Sequence, residues 1–425
     1  MPGVYKTILV IGGGISGITA AIEAAETGYD VVLVEKEAYL GGRVAQLAKY
    51  FPKLCPANCG LEINYQRIKK NRRIRIITMS QVTGISGQPG DFDVTIAQQP
   101  RYVNARCTAC NDCVAVCPED RPDAFNLGMG TTKAIYLPHA MAFPMKYAID
   151  DSRCKGQSCG KCVDACKYGA IELNMQPKTF TLKAGAVIVA TGWKPYDASR
   201  IDNLGFGRYA DVITNMMLER LAAADGPTRG KLARPSDGKP ISSAAFIQCA
   251  GSRDENHLGY CSSICCMASL KEATYIREQN PDARIYVFYI DLRTPGTYNS
   301  FSQRVREDGH VTAIKGKVAR IVEDAPGRQL IVEAEKVFTA EKVRVPVDLV
   351  VLATGMASSH DGGNPPALFS LDADNFPIPR EKSAGVFVAG CARGPVEVAT
   401  AVQDATAAAM KAMESIHQAG TGALS

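Results

Sequence analysis

One stretch near the start of the chain restricts the fold more than any other. Residues 6–11 read as a strand, buried over its apolar run at 8–11, and Gly12, Gly14 and Gly17 follow directly as G-x-G-x-x-G. Residues 15–27 carry the apolar face of a helix that Gly28 ends, and residues 29–34 read as a second strand. Glu35 closes that strand about 20 residues past the glycines, the interval at which an acid accepts ribose hydroxyls. The glycines permit a tight turn whose backbone N–H groups approach a pyrophosphate, and the helix N-terminus favours that negative charge. The segment predicts a Rossmann-type dinucleotide site built from Gly12, Gly14, Ile15, Ser16, Gly17, Glu35 and Lys36.

Two further segments favour FAD over NAD. Gly41, Gly42 and Arg43 extend the fingerprint, and Thr191 and Gly192 end a strand at residues 186–189. The pattern resembles the two-dinucleotide-binding-domain flavoproteins, a thioredoxin-reductase-like α/β fold. In those proteins a third segment of strand, Ala-Gly-Asp and helix returns to the flavin. Residues 386–389, Gly390, Cys391 and a helical stretch at 396–413 match it, except that Cys391 stands where the resemblance expects Asp.

The chain has 425 residues, 15 of them cysteine, and a net charge of +5. No apolar run approaches the roughly 20 residues that span a bilayer. Residues 8–11 run straight into the glycine loop and do not read as a secretory signal. The expectation is a cytoplasmic protein, where thiols stay reduced and serve as metal ligands or core residues. Spacing decides between these. Cys107, Cys110, Cys113 and Cys117, followed by Pro118, spell C-x2-C-x2-C-x3-C-P, the loop that wraps a [4Fe-4S] cube. Cys154, Cys159, Cys162 and Cys166 nearly repeat it as C-x4-C-x2-C-x3-C, with Lys167 in place of proline. The two quartets resemble a two-cluster ferredoxin domain inserted into the flavin domain. In that arrangement each fourth cysteine serves the other cube, which groups Cys107, Cys110, Cys113 and Cys166 against Cys154, Cys159, Cys162 and Cys117. Zinc also takes four thiolates, but its cysteine pairs usually stand apart from one another.

Cys249, Cys261, Cys265 and Cys266 are C-x11-C-x3-C-C, which matches no common zinc or ferredoxin template, and buried cysteines that act as small hydrophobes are the competing reading. Residues 244–248 look like the strand that opens a second dinucleotide domain, yet Cys249, Ala250 and Gly251 replace its glycine triplet. A pyridine nucleotide then has little to hold its phosphates, and the domain is expected to survive as scaffold. Cys55 and Cys59 read as a redox disulfide, cluster support or plain packing. The basic run Arg67, Lys69, Lys70, Arg72, Arg73 and Arg75 reads as a solvated face, and no nucleic-acid module accompanies it. None of the five histidines falls in a catalytic constellation, so no catalytic residue is assigned.

The expected layout places the FAD domain at 1–100, 181–206 and 356–425, the ferredoxin insertion at 101–180, and the degenerate NAD-type domain with the third cysteine group at 207–355. The fingerprint with Gly-Gly-Arg, Leu-Cys-Pro at Cys55, the inserted ferredoxin, Gln-Cys-Ala-Gly-Ser-Arg-Asp from Gln248 and Cys-Cys-Met from Cys265 together resemble the A-type subunits of heterodisulfide reductase. That resemblance implies that Cys249, Cys261, Cys265 and Cys266 hold a third [4Fe-4S] cluster beside FAD. Archaeal members carry extra cluster-bearing segments at their ends, whereas this chain begins at the fingerprint and stops after the last FAD helix. In this compact form, and most closely over residues 41–64, it is similar to the A-type subunits of quinone-interacting membrane-bound oxidoreductase complexes of sulfate-reducing bacteria. The resemblance implies an electron-transfer subunit between a membrane quinone pool and adenylylsulfate reductase. The quinone is reached through two partner subunits, one a second flavin/iron-sulfur protein and the other membrane-bound and quinone-reactive. This places the chain at the inner face of the membrane without a span of its own. Two alternatives are a stand-alone disulfide or sulfur reductase using Cys55 and Cys59, and an electron-bifurcating subunit.

Overall fold

The computed structural model describes residues 4–51, 53–324, 329–360, 369–379 and 385–421. The fingerprint strand, Thr7–Ile11, lies at the centre of a five-stranded parallel sheet in the order Val386–Val388, Ala186–Val189, Thr7–Ile11, Asp30–Val34, Ile74–Ile77. These strands are nearly continuous runs of Val, Ile and Leu because both faces are covered, as a parallel sheet requires. On one face Ile8, Val10, Val31, Leu33, Ala186 and Ile188 meet the helices Ile15–Glu26, Ala57–Lys70 and Val398–Thr421. On the other, Leu9, Val32, Val187 and Val189 meet Phe92, Val94 and Ile96 of an antiparallel three-stranded sheet, Ser80–Gln88, Asp91–Gln98 and Lys178–Ala184. The last helix runs eight residues beyond the stretch read from sequence, to Thr421. Its buried Ala401, Ala405, Ala408, Ala409 and Ala412 allow close approach to Ala20, Ala21, Ala24 and Ala25 of the fingerprint helix.

The cysteine-rich middle leaves and rejoins this small sheet between paired residues. Gln98 ends one strand and lies opposite Lys178, which begins its neighbour, so residues 99–177 form one excursion anchored at a single point of the ladder. Inside it two short helices, Asp112–Val116 and Lys161–Ala165, pack together around Val103, Ile135, Tyr147, Ile149 and Ile171.

Trp193–Pro195 and Met356–Ser358 pair antiparallel and form the crossing into and out of a second unit. Tyr196, Ala198, Ile201 and Leu204 pack with Val212, Ile247 and Leu352 in the core of that unit. The crossing therefore falls at 193–195, short of the boundary at 206 that the sequence suggests. The second unit has a seven-stranded sheet, ordered Val212–Thr214, Leu349–Thr354, Ser243–Ala250, Arg284–Tyr289, Val311–Asp324, Gln329–Lys336, Lys342–Val347. Its first five strands are parallel neighbours, and the fourteen-residue strand Val311–Asp324 turns the sheet antiparallel along its second half. Helices Asn215–Ala222 and Cys265–Gln279 cover the face toward the first unit.

Candidate functional site

The fingerprint loop is built around two glycines that cannot change and one that faces open space. A Cβ on Gly12, which has φ +105°, would come within 2.3 Å of the Ala190 carbonyl oxygen, and one on Gly17 within 1.8 Å of the Gly12 oxygen. A Cβ on Gly14 would meet nothing within 4 Å. Gly14 caps the helix Ile15–Glu26 and is bridged to Gly41, while the Gly41 N–H donates to the Gly13 carbonyl at 2.8 Å. Gly42, in the left-handed region, lies so close that its Cβ would stand 3.0 Å from the Gly14 Cα. The two glycine segments thus form the walls of a cradle whose floor is the positive end of a helix, the environment a pyrophosphate requires. Glu35 is buried and accepts the Gly13 N–H at 2.6 Å and the Glu37 N–H at 2.7 Å. Burial raises its pKa, against those two hydrogen bonds, and its remaining lone pairs are available for ribose hydroxyls.

Other residues singled out from the sequence lie on the same side of the sheet. Ser16 donates to the Ala401 carbonyl, and Gly390 approaches so closely that a Cβ there would overlap the Ser16 hydroxyl. Thr191 bonds the His360 ring at 3.0 Å, with exposed Lys36 near enough to act on that ring. Gly192 has positive φ, and Arg43 joins the crossing strand through the Trp193 carbonyl and reaches Gln46 at 2.9 Å. Cys391 is a thiol held neutral, pushed up to about 11 by burial, and it donates to the Val396 carbonyl. No acid stands at 391, and the backbone of this turn is held instead by an acid from the last helix. Asp404 accepts the Gly390 N–H at 2.6 Å and pairs with Arg393 at 2.6 Å. Sequence reasoning missed it because its signal is an acid in the second turn of an alanine-rich helix.

In the excursion, Cys107, Cys110, Cys113 and Cys166 line one cavity together with Val103, Ile135, Tyr147, Tyr168 and Ile171. Cys117 falls on the other side, beside Cys154 and Cys162. Burial, then Cys154 and after it Cys117, push the Cys162 thiol up to about 11, whereas burial followed by Cys107 and Cys110 pushes Cys113 up to about 12. Cys159 follows a short turn at residues 156–158. The loops take left-handed conformations at Ala109, Asn111, Gly156 and Gly160, and Tyr147 fixes Asn111 through a 2.7 Å hydrogen bond. Curled in this way, the backbone turns N–H groups onto sulfur. Gly156 donates to Cys154 and Ala170 to Cys166, each at 3.3 Å. Such donors stabilise thiolates that ligate a cluster. Among the described residues no three His, Cys, Asp or Glu side chains converge on a single ion position, while Cys107, Cys110, Cys113 and Cys166 line a common cavity.

The third group sits where a second nucleotide would lie. Strand Ser243–Ala250 loses register after Ile247, Cys249 takes φ +56°, and the connection 251–264 is long where a nucleotide fold has a tight glycine turn. The helix then begins with Cys265 and Cys266, and the Ser263 N–H donates to Cys261 at 3.4 Å. Burial, then Cys266, raise the Cys249 thiol to about 11, with the Arg253 guanidinium opposing the rise, and burial followed by Cys249, Cys266 and Cys261 raises Cys265. All four sulfurs are therefore neighbours. The helix end that would receive phosphate presents two cysteines, and an anionic iron-sulfur cube suits the same electrostatics.

Cys55 is half-buried in a short strand pair and Cys59 is exposed in the first turn of Ala57–Lys70, both beside Tyr50. Arg220, fully buried, ties the units together. It donates to Asn126 at 2.8 Å in the excursion, to the Gln46 carbonyl and to Asp225 at 2.9 Å, and its guanidinium stacks 4.6 Å from the Phe125 ring. Nothing in the local sequence marks Arg220, which stands in an ordinary amphipathic helix.

Fold and fingerprint define the class as a flavoprotein oxidoreductase with the two-domain fold of FAD/NAD(P)-binding proteins. Residues 7–58 match the FAD dependent oxidoreductase family. Among solved structures the chain is similar to thioredoxin reductase of T. acidophilum, with a TM-score of 0.54 at 14% identity over 96% of this chain and 98% of that one. The Lactococcus lactis thioredoxin reductase gives 0.51 at 14% identity over 97% and 99%. At that identity the likeness shows the fold alone. More particularly, the chain is homologous to the A-type subunits of heterodisulfide reductase. It is 41% identical over 424 residues to the iron-sulfur A-type subunit of the CoB--CoM heterodisulfide reductase of Methanocaldococcus jannaschii, covering 96% of this chain and 64% of that protein. It is 39% identical over 434 residues to the A-type subunit of the ferredoxin/F(420)H(2)-dependent CoB-CoM heterodisulfide reductase of Methanosarcina acetivorans, covering 99% and 54%. The chain thus spans between half and two thirds of the length of these relatives.

Proposed function

We propose that the chain is an FAD and iron-sulfur electron-transfer subunit of a larger redox complex. The observation that carries this reading is the third cysteine group, two members of which, Cys265 and Cys266, occupy the first turn of the helix where a pyridine nucleotide would place its phosphates. Electrons then enter and leave through clusters. FAD, when bound, joins one-electron carriers to a two-electron step, and the protein positions the carriers and tunes their potentials. Cys107, Cys110, Cys113 and Cys166 would hold one [4Fe-4S] cube, Cys117, Cys154, Cys159 and Cys162 another, and Cys249, Cys261, Cys265 and Cys266 a third. The shared cavity, the N–H donors to sulfur and the buried thiols support these assignments.

The likeness of residues 41–64 to quinone-interacting complexes supports a place between a membrane quinone pool and adenylylsulfate reductase, reached through partner subunits at the inner face of the membrane. Among the described residues no helix is long and apolar enough to cross a membrane. Anaerobic mixing tests the reading. A reduced one-electron donor bleaches the flavin through the clusters, and NADH does not. Rapid flavin reduction by NADH, or disulfide reductase activity in the isolated chain that Cys55→Ser abolishes, would point instead to a stand-alone reductase.

A further inference from the structure

Three ionisable side chains meet in a buried junction between helices Asn215–Ala222 and Cys265–Gln279 and the segment that follows Arg43. Glu219, Lys271 and Glu272 are 1%, 4% and 1% exposed. Lys271 Nζ lies 2.8 Å from Glu219 Oε1 and donates to the Lys49 carbonyl at 2.6 Å. Glu219 Oε2 accepts the Ala48 N–H at 2.8 Å and the Tyr275 hydroxyl at 3.4 Å. One carboxylate thus matches one ammonium, and Glu272 is left over. Neither of its oxygens has a donor, and Glu219 Oε1 faces Lys271 without a hydrogen bond of its own. Two ionised carboxylates are acceptors only and cannot bond to each other. With one proton between them, Glu272 donates to Glu219, and one orphaned oxygen on each side gains a partner. Burial and the neighbouring Glu219 hold the Glu272 carboxyl well above its ordinary range, with Lys271 opposing.

The position of the pair is informative. Cys265, Ser269 and Glu272 fall at i, i+4 and i+7 and so share one face of their helix. Ser269 is fully buried with an unpartnered hydroxyl, as are both amide atoms of Gln248 beside Cys249. At the other end, Ala48, Lys49 and Tyr275 line a cavity of about 260 Å³ with exposed Glu278, whose carboxylate pairs with the Lys49 ammonium. The groups facing Glu272 are therefore Glu219 from one helix and Lys271 and Tyr275 from its own, with Lys49 held off by Glu278.

We infer that Glu219 and Glu272 hold a single proton between them, balanced by Lys271, and that this pair is a buried proton reserve serving the third cysteine group. The resting triad is neutral: one carboxylate, one ammonium and one carboxylic acid. A [4Fe-4S] cube held by Cys249, Cys261, Cys265 and Cys266 would gain one negative charge on one-electron reduction by an external donor, and the carboxyl pair would take up one proton from solvent by way of the cavity, so charge is conserved in the low-dielectric interior. This second half rests on the electron-transfer reading above, whereas the shared proton does not.

Infrared spectra of the anaerobically purified protein with its cofactors test both halves. The oxidised protein at neutral pH shows a carboxylic-acid carbonyl band that shifts in deuterated water. The band is lost in Glu272→Gln and also in Glu219→Gln, where Glu272 ionises to pair with Lys271. A parent without that band, or a band that survives both substitutions, overturns the shared proton. The reduced-minus-oxidised spectrum shows a second carboxylic-acid band growing at the expense of a carboxylate band, absent in Glu219→Gln. If the visible spectrum bleaches and no carboxyl change accompanies it, the reserve is overturned and the electron-transfer reading stands. If the visible spectrum does not bleach with any one-electron donor, the electron-transfer reading fails while the oxidised-state bands still decide the shared proton.

Discussion

Gly14 and Gly17 lie three residues apart and answer to different neighbours, so substitutions there separate cofactor binding from folding. Gly14→Val places its side chain in open space and is expected to leave the unfolding midpoint of the flavin-free protein unchanged while lowering FAD affinity by at least about tenfold, or ~1.4 kcal/mol, measured by flavin release on dilution. Gly17→Ala drives a methyl into the Gly12 carbonyl and is expected to cost roughly 1–3 kcal/mol in denaturant unfolding. Glu272 gives a dependence on pH with a definite sign. Its pKa is raised in the folded protein, so as pH climbs past the ordinary value of 4.5 the unfolded chain loses the proton and the folded chain keeps it. Stability contributed by this group falls with rising pH over that interval, until the raised folded value is reached. Glu272→Gln removes the dependence, and its urea midpoint relative to the parent increases from mildly acidic to neutral pH.

At the scale of elements, the turn Gly390–Ala392 and the helix Val398–Thr421 act as one unit because Asp404 joins them. Asp404→Ala leaves the Gly390 N–H and the Arg393 guanidinium without that partner and is expected to cost about 1–3 kcal/mol. Asp404→Asn retains a hydrogen-bond acceptor and loses less, which thermal unfolding of the two variants checks. The loops around Cys107–Cys117 and Cys154–Cys166 make a pairwise prediction. Cys166→Ser removes the same EPR signal as Cys107→Ser, and Cys117→Ser removes the signal that Cys154→Ser removes. Signals that instead group by sequence quartet contradict the crossed assignment.

Across the whole molecule, what could be read from sequence was what depends on local spacing. The order of strand, glycines, helix and Glu35 specifies a βαβ unit within one short segment, and the cysteine intervals place sulfurs on tight loops. Features that depend on tertiary approach were silent. Asp404 holds the Gly390 N–H from fourteen residues away, the domain crossing at 193–195 becomes visible only when Trp193–Pro195 pairs with Met356–Ser358, and the Glu219–Lys271–Glu272 junction needs two helices brought together. Arg220 belongs to the same class, since its partners Asn126 and Gln46 are distant in sequence. Arg220→Ala removes its charge, its three hydrogen bonds and its stacking on Phe125 and leaves Asp225, partly exposed, unpaired. A loss of about 2–4 kcal/mol is expected, with faster proteolysis within residues 99–177 as the excursion loosens from the second unit.

The central claim is that three cysteine groups carry clusters beside one flavin. Iron, acid-labile sulfide and flavin content of anaerobically purified protein, joined to EPR during stepwise reduction, tests it most directly. The account predicts about twelve irons, about twelve sulfides and one FAD per chain, four irons to each cube. About eight irons would make Cys249, Cys261, Cys265 and Cys266 structural, and zinc without sulfide would contradict the electron-transfer role altogether.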